Sequence, residues 1–303
     1  MKKIAVIGAG ISGLLIANFF RKNSNYQITI YEKNNSINFK SGYGVQLSVN
    51  SIKILNKIGF NELDKQEKFN PQKINFYSNN SLKKMCELNI ADFNSEDCKF
   101  TTLRRSTLIN FLKKDLVDLI KTGYNISRID QRKQQIQLSF ENNETGEFDY
   151  LIISDGVFSK SKNLILNNQT KPKYNNTLAI RGIVTKSFNN IDDKNISLFL
   201  DSDFHHVMYP INSNGDLNFI AIMKYQLSDT EQKNHSLFNE NYFIKKILEK
   251  IPLKNNEFLK NLKELKIFPV FVSDKFYKLQ NNNIHLIGDA FFTYPPSFAQ
   301  GAS

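Results

Sequence analysis

Two short stretches hold the residues best suited to chemistry. The first is Gly8-x-Gly10-x-x-Gly13, which follows the apolar run Ile4–Ile7 and opens a helical pattern; an acid, Glu32, ends the next strand-like run. In that spacing Gly8 permits a tight turn, Gly10 lets the backbone approach a pyrophosphate, and Gly13 lets helix and sheet pack closely. The helix N-terminus then faces the phosphates, and Glu32 can accept hydrogen bonds from ribose hydroxyls. This pattern indicates a dinucleotide and does not separate FAD from NAD. The second stretch is Gly288-Asp289-Ala290, after the strand-like Ile284–Ile287. An Asp at that strand end can accept from the ribityl hydroxyls of a flavin. Pro295-Pro296 and Gln300-Gly301 behind it form a stiff turn that can lie along an isoalloxazine ring. Together the two stretches point to FAD.

Other residues have both functional and structural readings. His205, Val207 and Tyr209 share one face of a strand, and His206 and Met208 share the other. Either histidine can be a hydrogen-bonded strand residue or a catalytic group. Arg181 is conspicuous because only six of the forty basic residues are Arg; an ion pair and a substrate anchor both fit it. Phe291, Phe292 and Phe298 fit core packing or an apolar wall at the cofactor. No metal-ligand spacing occurs: Cys86 and Cys98 fit neither a metal site nor a redox pair.

The elements that must position these residues follow from periodicity. Residues 4–7, 12–22 and 28–31 read as a βαβ unit. Ser48 or Asn50 can cap a helix carrying Ile52, Leu55 and Ile58. Leu108, Leu112, Leu116 and Leu119 predict a helix over 107–121, stopped at Gly123. Residues 135–140 turn through 142–146 and return into a buried strand at 150–154. Strands are expected at 177–184, 196–200, 205–210 and 217–223, with Asn214-Gly215 as a hairpin turn. Helical patterns return at 236–250 and 256–264.

The formal net charge of +11 reflects Lys far more than Arg, in a chain rich in Asn, Ile and Phe and without Trp. That is the imprint of AT-rich coding rather than a nucleic-acid surface, and no compact Lys/Arg run occurs. The glycines at 8, 10 and 13 and the missing cleavage site argue against a signal peptide. No window reaches the roughly 20 apolar residues of a membrane span. A reducing cytoplasm is the expected location. Peripheral membrane contact and oligomeric state stay open.

With these motifs in place, the chain resembles the single-component FAD-dependent aromatic hydroxylases, the group of salicylate hydroxylase and para-hydroxybenzoate hydroxylase. Gly42-Tyr-Gly44-Val-Gln46-Leu-Ser-Val-Asn50 is similar to the family's G-x-G-[IV]-Q-[IL]-x-P-N segment, with Val49 in place of Pro. Arg105-x-x-Leu108-x-x-x-Leu112 is similar to its R-x-x-L-x-x-x-L helix start, whose Arg lies beside FAD. Asp155-Gly156-x-x-Ser159-x-x-Lys162 resembles D-G-x-x-S-x-x-R, implicated in FAD and NAD(P)H binding; Lys162 turns a bidentate phosphate contact into a point charge. Arg181-Gly182 and His205-x-Val-x-Tyr209-Pro210 resemble substrate-domain segments. The last motif departs most, with Phe291-Phe292 for Ala-His, Ala299 for Gly and Ser303 for Asn. The family continues there with a long helix near the flavin, so a truncated longer product is preferred over a natural end.

The resemblance implies an α/β fold: a Rossmann-like FAD-binding domain (1–70, 99–171 and 276–303) with an inserted mixed-sheet substrate domain (71–98 and 172–275). The implied cofactor set is Gly8, Gly10, Ile11, Ser12, Gly13, Glu32, Lys33, Gln46, Arg105, Asp155, Gly156, Gly288, Asp289, Pro296 and Gly301. Arg181, His205, Tyr209 and Pro296 are the substrate-site candidates, and no metal is implied. The implied reaction is hydroxylation of a small, aromatic substrate by NAD(P)H and O2 through a flavin C4a-hydroperoxide. A different FAD oxidoreductase or a non-catalytic flavin-binding fragment are the alternatives.

Overall fold

The structure is a computed structural model describing residues 1–37, 42–132, 135–167, 170–184, 192–234, 236–252, 262–277, 279 and 281–298. In chain order the elements are β1 (Lys2–Ile7), α1 (Ile11–Arg21), β2 (Tyr26–Glu32), β3 (Gly44–Leu47), α2 (Val49–Asn56), β4 (Lys68–Phe69), β5 (Lys73–Ser78) and β6 (Lys84–Asn89). They continue with β7 (Thr101–Arg104), α3 (Arg105–Lys113), β8 (Ile120–Thr122), β9 (Ile126–Arg132), β10 (Gln135–Phe140), β11 (Thr145–Phe148), β12 (Tyr150–Ile153) and α4 (Lys160–Ile165). The remainder is β13 (Lys173–Val184), β14 (Ile196–Leu200), β15 (Phe204–Pro210), β16 (Leu217–Lys224), α5 (Asp229–Lys233), α6 (Asn241–Glu249), β17 (Leu262–Val272) and β18 (Ile284–Leu286), joined by short 3-10 turns.

The chain divides into two compact units: 1–40, 108–173 and 271–301, and 41–107, 174–270 and 302–303. In the first, a five-stranded sheet runs β18-β12-β1-β2-β8, and every pairing in it is parallel. Strands buried on both faces need continuous apolar runs, and Ile4, Ala5, Val6 and Ile7 supply one, each at most 5% exposed. The antiparallel meander β11-β10-β9 covers one face, with Ile136, Leu138, Phe140 and Phe148 packed on Ala5, Ile7, Leu151 and Ile153. This is the expected Rossmann-like layer.

The second unit is built on a seven-stranded mixed sheet, β17-β13-β16-β15-β14-β5-β6, with a small sheet β3-β7-β4. One face of the large sheet packs Phe204, Met208, Phe219 and Met223 against Phe243 and Ile247 of α6. The other face gathers Ile183, Ile196, Tyr209 and Ile211 with Ile90. The fold class expected from the motifs is therefore observed.

Several local expectations need correction. The helix expected over 107–121 is α3, which ends at Lys113; Val117–Leu119 is a 3-10 turn and residues 120–122 are a strand. Leu108, Leu112 and Leu116 are all buried as their spacing requires, but Ile120 pairs with Ile30 and completes the parallel sheet. Sheet pairing overrides helical periodicity there. Of the helical pattern at 256–264, residues 256–261 lie outside the described residues, and Leu262, Lys263 and Glu264 are strand. Residues 41–70 and 99–107 cluster with the second compact unit. The reason is bonding: the Gly44 amide donates to Asn218 Oδ1 at 2.6 Å, Thr102 Oγ1 donates to the Pro210 carbonyl at 2.5 Å, and Arg104 pairs with Asp216 at 3.0 Å.

Candidate functional site

In the first unit the carboxyl ends of four adjacent parallel strands carry the chemistry-bearing residues. Reading along the sheet, Gly288-Asp289 follow β18, Asp155-Gly156 follow β12, Gly8 follows β1, and Glu32 ends β2. The backbone holds them in register: the Gly8 amide donates to the Tyr31 carbonyl at 2.8 Å, Ser154 N to Ile7 O at 2.8 Å, and Ile287 N to Ile153 O at 2.9 Å. Ligands of open parallel sheets bind at this edge.

Each glycine of the opening motif has a separate physical role. Gly8 has φ +100°, and a Cβ there would lie 2.6 Å from the Ser154 carbonyl oxygen. A Cβ on Gly13 would lie 2.1 Å from the Gly8 carbonyl oxygen, so α1 seats on the turn only without a side chain. Gly10 differs: a Cβ there meets nothing within 4 Å. Its smallness serves no packing in the chain and leaves room for an approaching group. Gly10 is the N-cap of α1 and offers no side-chain cap. The first-turn amides of Ile11, Ser12 and Gly13 find no acceptor among the described residues. Open amides with the positive end of a helix dipole can receive an anion.

Glu32 borders that helix start. Its carboxylate accepts from Ala9 N at 3.1 Å, Asn34 N at 3.0 Å and Asn34 Nδ2 at 2.7 Å. These bonds hold it beside the glycine turn, and a carboxylate has about four lone-pair sites, so acceptor capacity is left for hydroxyls. Lys33 is exposed next to it. The closing motif meets the opening one: Gly288 has φ +57°, and a Cβ there would lie 2.3 Å from Ser12 Oγ. Asp289 is exposed in the 3-10 turn that follows, and Pro296 is half-buried beyond it. Gly301 lies outside the described residues.

Asp155 has a structural task. It accepts a short hydrogen bond from Ser159 Oγ and a 3.0 Å bond from Ser161 N, while Ser159 Oγ accepts from Lys162 N at 2.9 Å and caps α4. Gly156 has φ +85° and open space where a Cβ would project. Lys162 is shielded from solvent. Its Nζ lies 5.7 Å from the Tyr277 ring centroid, and burial pulls its ammonium down against the opposing pull of Asp155 and Asp274.

The second unit holds Arg181, His205, Tyr209, Gln46 and Arg105. Strand register places Arg181, Ile220, Val207, Leu198 and Phe76 in one row across five strands, all half-buried. Tyr209 and His205 stand on the same face, one step to either side of Val207. Tyr209 is buried and hydrogen-bonds to Gln46; burial raises its phenol pKa strongly. Burial pushes the His205 imidazole below its ordinary value. The opposite face keeps His206, stacked on Phe199 at 4.4 Å and pushed down to about 3 by desolvation. Arg105 donates its amide to the Tyr43 carbonyl at 2.8 Å.

Two positions escaped the sequence reading. Asn218 is 1% exposed and anchors Gly44; its only signal was a polar residue inside the apolar run 217–223. Tyr43 lies under Arg181, whose Cζ is 5.6 Å from the ring centroid. Nothing in the local pattern marks that pairing, since 138 residues separate the two.

Comparison with known proteins bears on this arrangement. Residues 6–42 match the family described as NAD(P)-binding Rossmann-like domain. The chain is 23% identical over 225 residues to 3-amino-4-hydroxybenzoate 2-monooxygenase of Streptomyces cremeus, covering 73% of this chain and 56% of the relative. It is 25% identical over 186 residues to 6-hydroxynicotinate 3-monooxygenase of Pseudomonas fluorescens, covering 60% and 47%. The crystal structure of Klebsiella pneumoniae HpxO complexed with FAD and uric acid superposes with a TM-score of 0.79 at 18% identity, over 99% of this chain and 76% of that one. The fold is that of the FAD-dependent monooxygenases. The resemblance drawn from the motifs thus agrees with the names of the sequence relatives, and the fold agrees with the solved structure. The chain spans about half the length of these two curated relatives. Among the described residues, no helix is long and apolar enough to cross a membrane.

Proposed function

We propose that the protein is a FAD-dependent monooxygenase that uses NAD(P)H and O2 to hydroxylate a small aromatic substrate. The observation that carries this reading is the line of Glu32, Gly8, Asp155-Gly156 and Gly288-Asp289 along one sheet edge, with open space above Gly10 and unpaired amides behind it. That geometry fits a dinucleotide: the amides of residues 11–13 would take the pyrophosphate, Glu32 the ribose hydroxyls, and Asp289 the ribityl chain. FAD, when bound, supplies the transfer of electrons from NAD(P)H and of oxygen to the ring.

The protein's own residues bind and orient. In the second unit the apolar row from Ile220 to Phe76 suits the face of an aromatic ring, and Arg181 suits an anionic substituent. The names of the relatives, a hydroxybenzoate and a hydroxynicotinate, describe ring compounds bearing a carboxylate. The two units are read as a FAD-binding and a substrate-binding part, with small-molecule partners and a cytoplasmic location.

The test is direct. Titration of the chain with FAD should quench flavin fluorescence at a defined stoichiometry, whereas NAD(P)H alone binds far more weakly. With an aromatic acid present, one product oxygen should come from 18O2. Product oxygen drawn only from water removes the monooxygenase reading, and absence of FAD binding removes the cofactor assignment.

A further inference from the structure

The second unit treats two arginines in opposite ways. Arg104 is neutralised twice: its guanidinium lies 3.0 Å from Asp216 and 3.5 Å from Glu264. Arg181, half-buried in the same unit, makes no ion pair among the described residues. It sits over the ring of Tyr43, with Cζ 5.6 Å from the centroid. Tyr43 is itself fixed on two sides. Its hydroxyl donates to the Glu264 carbonyl at 2.8 Å, and the Phe268 ring meets it edge-on at 6.0 Å. Glu264 stands in β17 with φ +55°; its carbonyl accepts from Tyr43 and its carboxylate lies beside Arg104.

An aromatic face attracts a guanidinium without neutralising it. A carboxylate in the same place would pair with the cation and close it to any ligand. Burial without a counter-ion is costly for a guanidinium, and burial does pull Arg181 below the usual range. The cation stands at one end of the apolar row Ile220, Val207, Leu198 and Phe76. A ring lying on that row would place a substituent at Arg181.

We propose that Tyr43 is the specificity-determining positioning residue of this unit: its ring holds Arg181 unneutralised, so that the unit selects aromatic carboxylates over their neutral counterparts. This rests on the reading of the second unit as the substrate-binding part. Tyr43 acts through Arg181, and its hydroxyl and Phe268 act through Tyr43.

The test uses matched probes, salicylate with salicylamide and nicotinate with nicotinamide, titrated by calorimetry onto the whole chain. Each carboxylate should bind about ten-fold or more tightly than its amide. Arg181→Gln should bring the ratio close to one. Tyr43→Leu should cut it by about three- to ten-fold, whereas Tyr43→Phe, which keeps the ring, should retain most of it. Phe268→Ala, at an exposed position, should lower the ratio less than Tyr43→Leu and serves if that variant does not fold. Equal affinity for carboxylate and amide in the unaltered chain, or a ratio indifferent to both Tyr43→Leu and Phe268→Ala, overturns the proposal. FAD titration of the same preparations separates the two ideas. Lost selectivity with FAD bound defeats this inference alone, and selectivity without FAD binding defeats the cofactor reading alone.

Discussion

The glycine cradle of the first unit and the strand face of the second are made of different materials. The cradle is backbone: glycines at positive φ or in forbidden contact, open amides, and acids placed by strand ends. The face is side chain: Arg181, Tyr209 and an apolar row placed by register across five strands, with Tyr43 against Arg181. Backbone sites are specified by the few residues that permit the conformation. Side-chain faces are specified by which strands become neighbours. The cradle should therefore fail through single glycines, and the face should change its preference long before it fails.

The sharpest break compares two glycines three residues apart. Gly13→Ala should destabilise the fold by about 3 kcal/mol, because its Cβ would meet the Gly8 carbonyl at 2.1 Å. Gly10→Val should leave the unfolding midpoint near that of the parent and weaken FAD binding by about 100-fold or more, since the space above Gly10 is open in the chain itself and a bulky side chain denies it to a pyrophosphate. Urea denaturation read beside FAD titration separates the two outcomes. A Gly10 variant that binds FAD normally removes the cradle as the cofactor site.

The two strand-end acids sharpen the same contrast. Asp289→Ala should lower FAD affinity by about 2 kcal/mol, the worth of a charge-assisted hydrogen bond. Asp155→Ala should act mainly on stability, by about 1 to 2 kcal/mol, because its carboxylate serves Ser159 and Ser161 at the start of α4. Exchange of these effects between the two positions would show that Asp155 is the flavin ligand.

A pH experiment tests the second unit by itself. His206 is buried against Phe199 with Nδ1 unpartnered, and its folded-state pKa is depressed to about 3. The unfolded chain binds the proton near pH 6.5 and the folded chain does not, so stability is full above about 6.5 and falls as pH drops towards 3. At pH 5 the loss should be about 2 kcal/mol, from 1.36 kcal/mol per pH unit. Hydrogen exchange should locate it in β14–β16, and His206→Phe should flatten the profile. The smallest effect concerns the arginines. Arg104→Met should cost about 1 to 2 kcal/mol by stranding two partly buried acids, while Arg181→Met should be near neutral or slightly stabilising, as removal of a cation without an ion pair among the described residues allows.

Much of the first unit was legible because its constraints are local. A glycine needed for positive φ or for close approach announces itself within a few residues, as Gly8, Gly10 and Gly13 do, and an acid at the end of an apolar run announces a strand edge. Helix α3 was legible only as far as Lys113. Beyond it Leu116 and Leu119 keep helical spacing, yet Ile120 is drawn into pairing with Ile30, a demand that no window around residue 120 contains. Residues 262–264 show the same conflict, read as helical and found in an edge strand.

The amino-acid order by itself determined the α/β class, the glycine turn before α1 and the placing of acids at strand ends, because backbone stereochemistry and hydrophobic period are properties of neighbouring residues. Only the tertiary structure decided that 41–70 and 99–107 cluster with the second unit, that Asp155 turns to cap α4, that Lys162 is buried against Tyr277, and that Arg181 rests on Tyr43 while Arg104 takes the acids. Those are matters of strand order and register, and strand order is settled by the burial of whole faces rather than by any short run of residues.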